Sequence, residues 1–130
     1  MNDQDILVEI KRRKDLADYY YDNYIKHYHR KSFSKASEFL WGSINALVYA
    51  LALFNNRKIH THAEIREFIK DLANEYDDRD FSQGLLAGER VHANFFHDFM
   101  DEAMFDEDRQ KIEILLEKLE KILNQKIETS

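Results

Sequence analysis

An uncharged run of sixteen residues, from Phe39 to Phe54, restricts the folds open to this chain more than any other feature. Its sequence is FLWGSINALVYALALF, which places apolar side chains on nearly every side of a helix. A helix that is apolar almost all round is buried on most of its sides. The run is shorter than the ~18 apolar residues typical of a membrane span, and charged residues border it. We therefore expect the central helix of a soluble bundle.

The remaining composition also favours helices. The 130 residues include no proline and only three glycines, the residue types that most often interrupt a helix. This length suits one domain with a single core, so we predict one all-α domain over residues 1–130. The absence of cysteine excludes disulfides, thiolate metal sites and cysteine nucleophiles. The polar, acidic start lacks the pattern of a signal peptide, which predicts a cytoplasmic protein with no membrane partner.

Periodicity and capping signals predict an up-and-down antiparallel bundle of about five helices. Ser32 or Ser34 is expected to cap the second helix, and Asp106 the fifth. Thr61 and Glu64 fit a capping box at the start of the third. The predicted helices cover about residues 5–30, 34–55, 62–76, 81–104 and 107–125.

The fourth predicted helix divides into two faces when projected at ~100° per residue. One face is apolar, and the opposite face is polar and carries Arg90, Asn94, His97 and Asp101. Gly84 and Gly88 should let a neighbouring helix approach closely, and we expect that neighbour to be the second helix near Gly42. The apolar set consists of Phe81, Leu85, Gly88, His92, Phe95, Phe96, Phe99 and Ala103.

The formal net charge of −6 disfavours non-specific binding along nucleic acid, which depends largely on Lys and Arg at the phosphates. Charges are nevertheless clustered. Basic residues gather at Lys11–Lys14 and between Lys26 and Lys35, and acidic ones at Asp71–Asp80 and Asp98–Asp108. Such runs usually form solvated faces, which is the interpretation we adopt for them.

Histidine patterns give weak signals for metal binding. Glu89 and His92 form one Glu-x-x-His pair, whereas di-iron bundles use two such pairs with further glutamates. We therefore expect His92 to be a hydrogen-bonded core residue. His60 and His62 lie two apart, but Glu64 is the only nearby third ligand and the cap already uses it. We predict neither a metal nor another cofactor.

Arg90, Asn94 and His97 offer a different chemistry on the polar face of the fourth helix. An arginine that holds phosphate, a histidine that moves a proton and an amide that orients the nucleophile would suffice for metal-independent RNA cleavage through the 2′-hydroxyl. Two such sets could meet across a two-fold axis. The alternative is an ordinary surface pair, because any polar helix face offers residues at this spacing.

Three stretches together resemble the archaeal PaREP helical family, whose fold belongs to the HEPN-like bundles. They are KASEFLWG from Lys35, HTH from His60 and VHANFF from Val91, within a similarity that extends from about Asp15 to Leu123. The resemblance implies an up-and-down bundle that pairs as a homodimer. Its candidate binding residues, for which a structural role is the more expected one, are Lys35, Glu38, Trp41, His62 and His92.

The resemblance also implies two alternative functions. HEPN ribonucleases use an arginine and a histidine, separated by a short spacer, to line a dimer cleft. Arg90 and His97, with six residues between them, match that arrangement, and Asn94 would assist. Other HEPN-like proteins are non-catalytic partners of nucleotidyltransferases, or bind nucleotides or nucleic acid. The net acidity and Val91, at a position that is typically polar in active members, favour the dimeric binding module over the ribonuclease.

Overall fold

The computed structural model describes residues 2–130 and contains five α-helices in that range, with no strand. The prediction of an all-α helical bundle is confirmed. The helices are α1 (Asp3–His29), α2 (Phe33–Phe54), α3 (His62–Tyr76), α4 (Asp80–His97) and α5 (Glu102–Glu128).

The uncharged run forms the centre of the bundle, because α2 contacts each of the other four helices. Leu40, Ile44, Val48 and Leu51 are almost completely buried among them. By length and composition α2 could cross a membrane, but 61% of its most apolar stretch is buried inside the bundle. The neighbouring helices therefore provide the apolar surroundings that this sequence requires.

The starts of α2 and α3 differ in how they are capped. At α3, Thr61 Oγ1 accepts a hydrogen bond from Glu64 N at 3.2 Å, and the Glu64 carboxylate accepts one from His60 N at 3.1 Å. The predicted capping pair is thus present. At α2, Ser32 occupies the cap position without a side-chain hydrogen bond, and Ser34 Oγ donates to the Phe95 carbonyl at 3.1 Å. The prediction that either serine caps α2 is wrong.

The junction between α4 and α5 lies earlier than the sequence predicted. α4 ends at His97 instead of Met104, because Asn94 Oδ1 accepts hydrogen bonds from the backbone N–H groups of Phe99 and Met100, each at 2.8 Å. Asp98 has a φ of 45°, in the left-handed region that commonly terminates helices. The chain therefore leaves the helix one turn after Asn94.

Asp101, not Asp106, caps α5. Its carboxylate accepts a hydrogen bond from Met104 N at 2.8 Å. Asp106 lies inside α5, where it accepts hydrogen bonds from the Tyr28 hydroxyl at 2.6 Å and from Arg109 Nε at 2.8 Å. The predicted cap is thus an inter-helix contact that joins α5 to α1.

Glycines allow three close helix contacts, but with different neighbours. A Cβ on Gly88 would lie 2.7 Å from Ile44 Cδ1 of α2, and one on Gly84 would lie 2.5 Å from Leu115 Cβ of α5. Gly42 instead faces the Tyr20 ring of α1, at 3.0 Å. The expectation that both α4 glycines meet α2 near Gly42 is therefore correct for Gly88, which lies against Trp41 and Ile44, and wrong for Gly84, which meets α5.

Candidate functional site

Arg90 lies on the outer surface of α4 and is held by α5. Its guanidinium forms a two-pronged contact with Asp108, with Nη2 2.7 Å from Oδ1 and Nε 3.0 Å from Oδ2. The Arg90 side chain is 49% exposed, whereas that of Asp108 is buried. The hydrogen bonds to Asp108 raise the pKa of Arg90. Arg90 thus neutralises a buried carboxylate while leaving part of its surface accessible.

Asn94 is completely buried, so the surface position predicted for it is wrong. Its Nδ2 donates to Ser37 Oγ of α2 at 3.0 Å, while its Oδ1 accepts hydrogen bonds from two backbone N–H groups of the α4–α5 junction. Buried amides require such partners. Because all of these contacts are internal, Asn94 positions backbone and does not orient a nucleophile. His97, the last residue of α4, is exposed.

Three of the predicted binding residues form one ring cluster between α2, α3 and α4. The rings of Trp41 and His92 stack with centroids 4.9 Å apart, and the His62 ring meets His92 edge-on at 5.1 Å. The Phe96 and His92 rings are also nearly perpendicular, with centroids 5.2 Å apart. His92 is half-buried and packs by ring contacts, and we find no hydrogen bond from its ring within residues 2–130. The expected hydrogen-bonded core position is therefore wrong.

Packing in the ring cluster affects the pKa of His92. Burial, and secondarily the neighbouring His62, lower the pKa of His92, while Glu89 acts in the opposite direction. Among the residues that the structure describes, no group of three or more histidine or carboxylate side chains is arranged to hold a metal ion. Trp41, His62 and His92 thus connect three helices through aromatic contacts.

Lys35 and Glu38 lie outside that cluster, on the exposed side of the first turns of α2. Neither takes part in an ion pair within the described part of the chain. The five predicted binding residues thus comprise three that share ring contacts, of which His62 is also exposed, and two that face solvent.

A cluster of unpaired cations surrounds the connection between α1 and α2. We call it the basic turn, and it consists of Lys26, Arg30, Lys31 and Lys35. All four side chains are exposed, and none forms an ion pair within residues 2–130. Burial lowers the pKa of nearby His27, and Arg30, Lys35 and Lys26 lower it further. The basic turn thus retains a positive potential.

Exposed apolar side chains concentrate in one part of the chain. Of the eight large apolar side chains that are most exposed in the described structure, five fall between Leu86 and Ile114, on α4, the junction and α5. These five are Leu86, Phe96, Phe99, Met104 and Ile114. The sequence predicts both Phe96 and Phe99 on the packed face of α4. Phe99 lies beyond the end of α4, so its exposure follows from the early junction, whereas Phe96 is exposed within the last turn of α4 itself.

Two open grooves lie away from these surfaces. A groove of about 340 Å³ between α1 and α5 has Ser43 and Leu47 of α2 among its lining, together with five carboxylates. Those acids are Asp18, Asp22, Glu113, Glu117 and Glu120. A second groove, of about 690 Å³, is bordered by the start of α1 and the end of α2. Neither of these two grooves includes Arg90 or His97 in its lining.

Comparison with known proteins gives a family. No curated protein and no solved structure matches the chain significantly. A family model described as the archaeal PaREP1/PaREP8 family matches residues 12–116, which is most of the 130-residue sequence and extends from the middle of α1 into α5. The chain therefore belongs to the archaeal PaREP1/PaREP8 family.

Proposed function

We propose that this protein is a homodimeric, non-catalytic binding module that pairs through an outer face formed by α4 and α5. The outer face consists of Leu86, Arg90 and His97 on α4 and Met104 and Ile114 on α5. The observation that carries the proposal is that three exposed large apolar side chains, Leu86, Met104 and Ile114, lie on these two packed helices. Monomeric proteins rarely expose large contiguous apolar patches, and such patches commonly mark interfaces.

The pairing of Arg90 with Asp108 sets the register of the outer face. In an antiparallel pair, Leu86 and Ile114 lie to one side of that ion pair and His97 and Met104 to the other. Apolar groups therefore flank a polar centre. Arginine and methionine, here Arg90 and Met104, are both enriched at protein interfaces relative to the rest of the surface.

The charges on this face are compatible with self-association. A two-fold interface uses the same patch on both subunits, so the patch must complement itself. The exposed side of α4 and α5 carries the Arg90 guanidinium and acids at Glu102 and Glu107. Opposite charges can therefore meet across a two-fold axis, which a patch of a single sign would not allow.

The internal use of the predicted catalytic groups supports a non-catalytic role. The guanidinium of Arg90 donates hydrogen bonds to Asp108, and both ends of the Asn94 amide form hydrogen bonds inside the bundle. A dimeric module of this kind could serve as the partner of a nucleotidyltransferase or a toxin-like protein. A nucleotidyltransferase encoded beside this chain would favour that assignment.

Sedimentation velocity tests the dimer. We expect the wild type to sediment as a dimer, and Leu86→Asp and Ile114→Asp to sediment as folded monomers. Val8→Asp is the matched control, because Val8 is equally an exposed apolar helix residue but lies on α1. A wild type that stays monomeric at micromolar concentration, or a Val8→Asp variant that dissociates as readily, would remove the proposed interface.

The second candidate function is metal-independent RNA cleavage by Arg90 and His97. Its supporting observation is that both side chains are exposed along α4, on the face that the proposed dimer would bring together. The test is RNA cleavage in the presence of a chelator by the wild type, Arg90→Ala and His97→Ala, with His60→Ala as an exposed-histidine control. Equal activity in all four proteins would assign any cleavage to a contaminant.

A further inference from the structure

The basic turn groups four cations that all lack counter-ions, whereas most cations elsewhere in the described structure are paired. Of the fifteen lysines and arginines elsewhere in the chain, nine pair with carboxylates in the described structure. The four cations of the basic turn have no such partner. The first turn of α2 also contains no acidic residue that could offset them. In a protein with a formal net charge of −6, this is a localised surplus of positive charge.

An apolar border adjoins these cations. Ser34, next to Lys35, donates to the Phe95 carbonyl, so the first turn of α2 lies against the last turn of α4. Asn94 connects Ser37 of α2 to the backbone of Phe99. Phe96 is 65% exposed and Phe99 is 48% exposed. The surface at this end of the bundle therefore combines unpaired cations with accessible aromatic rings.

We propose that the basic turn, with Phe96 and Phe99, binds an acidic segment of a partner protein that also carries apolar side chains. This inference rests on the proposed binding-module function and names the chemistry of the partner. The carboxylates of the segment would pair with Lys31, Lys35 and their neighbours, and its apolar side chains would cover the two rings. Complementary charges increase the association rate and the specificity, while the buried aromatic contacts supply most of the affinity.

A short acidic segment fits this surface better than a nucleic acid does. Glu38, Asp98, Asp101 and Glu102 lie close in sequence to the cations or rings, and they would repel a continuous row of phosphates. Nucleic-acid binding strengthens with the number of phosphates neutralised by cations, and only four unpaired cations are grouped here. A short peptide segment, unlike a continuous row of phosphates, can place its acids at the cations and its apolar side chains near these carboxylates.

Fluorescence anisotropy with a labelled synthetic peptide rich in glutamate and leucine tests the inference. The same peptide with glutamine in place of glutamate, and a labelled oligouridylate, serve as competing probes. We expect the wild type to bind the acidic peptide, and Lys31→Glu/Lys35→Glu to bind it about tenfold or more weakly. Lys70→Glu/Lys121→Glu, which reverses two exposed and unpaired cations elsewhere, should bind like the wild type.

Three results would overturn the inference: equal weakening by both double variants, equal binding of the glutamine peptide, or tighter binding of oligouridylate through the same lysines. The last result would identify a nucleic-acid surface. Phe96→Ser/Phe99→Ser should weaken peptide binding several-fold, and an unchanged affinity would contradict the proposed apolar contacts.

Sedimentation of the same variants separates this inference from the dimer proposal. We expect Lys31→Glu/Lys35→Glu to remain dimeric while losing the peptide, and Ile114→Asp to become monomeric while keeping it. Peptide binding by a monomeric wild type would refute the dimer alone. A dimeric wild type without peptide binding would refute the partner assignment alone.

Discussion

The basic turn and the α4–α5 junction lie against each other at one end of the bundle, yet their polar groups are used in opposite ways. In the junction, Asn94 uses both ends of its amide and Asp101 caps α5. Next to Lys31, Ser32 makes no side-chain cap bond, and the four cations of the basic turn have no ion-pair partner within residues 2–130. One region employs its polar side chains to define the fold, and the other leaves them exposed to solvent.

This difference separates structural from functional candidates. A polar group whose hydrogen bonds are all internal contributes to stability, and its removal leaves buried partners unpaired. A charged group without a partner contributes little to the fold and is available to a ligand. Four substitution experiments, in order of decreasing expected effect, test whether the two regions differ in this way.

The largest effect is expected for Asn94→Ala. Removing the amide leaves Ser37 Oγ and the N–H groups of Phe99 and Met100 without their partner in a buried site, at a cost of about 2–4 kcal/mol of unfolding free energy. Urea unfolding followed by circular dichroism measures it. Asn45→Ala is the control, because Asn45 Oδ1 is buried without a hydrogen-bond partner. Equal losses in both variants would contradict the role assigned to Asn94.

Arg90→Ala should lower the unfolding free energy by about 1–2 kcal/mol, because it leaves the buried Asp108 carboxylate without its partner. The loss stays modest because solvent reaches about half of the Arg90 side chain and screens the ion pair. Lys35→Ala, in the basic turn, should leave the unfolding free energy unchanged. A double-mutant cycle with Asp108→Ala measures the coupling between Arg90 and Asp108 directly. If the two single substitutions prove additive, the ion pair does not stabilise the junction.

The two helix caps should differ by a smaller amount. Asp101→Ala removes the acceptor for Met104 N and should lower the unfolding free energy by about 1 kcal/mol. Ser32→Ala removes no cap bond and should have no effect. Thermal unfolding of both variants, compared with that of the wild type, measures these differences in stability. A comparable loss in Ser32→Ala would show that the start of α2 is capped in solution.

The smallest effect concerns pH. Burial lowers the pKa of His27 below its ordinary value of 6.5, and the neighbouring Arg30, Lys35 and Lys26 lower it further. Folded protein therefore binds this proton less readily than the unfolded chain. Stability is unaffected well above pH 6.5, falls as the pH drops below 6.5, and levels off once folded His27 is also protonated.

Reversing one cation of the basic turn should reduce this pH dependence. NMR titration should show a higher pKa for His27 in Lys35→Glu than in the wild type, because a repelling charge becomes an attracting one. The pKa of His92, lowered by burial and by His62, serves as the internal reference and should not change. A His27 pKa that is identical in both proteins would show that solvent already screens the basic turn.

The bundle was largely predictable because its signals are local. The uncharged run from Phe39, the Thr61–Glu64 cap and the absence of proline each act within a few residues, and together they predicted five helices and the central one. The end of α4 was not predictable in the same way. Asn94 ends the helix only because Ser37, on another helix, fixes its amide, and the apolar residues that follow continue the helical pattern.

The sequence by itself determined the fold class, the buried helix and the family, because hydrophobic periodicity and short motifs depend on neighbours along the chain. Only the tertiary structure decided which polar residues are available for function. It buried Asn94, joined Arg90 to Asp108, packed His92 on Trp41 and left the basic turn without counter-ions. Whether a charge or an amide finds a hydrogen-bond partner depends on residues that are distant in sequence, and these cannot be identified from residue spacing along the chain.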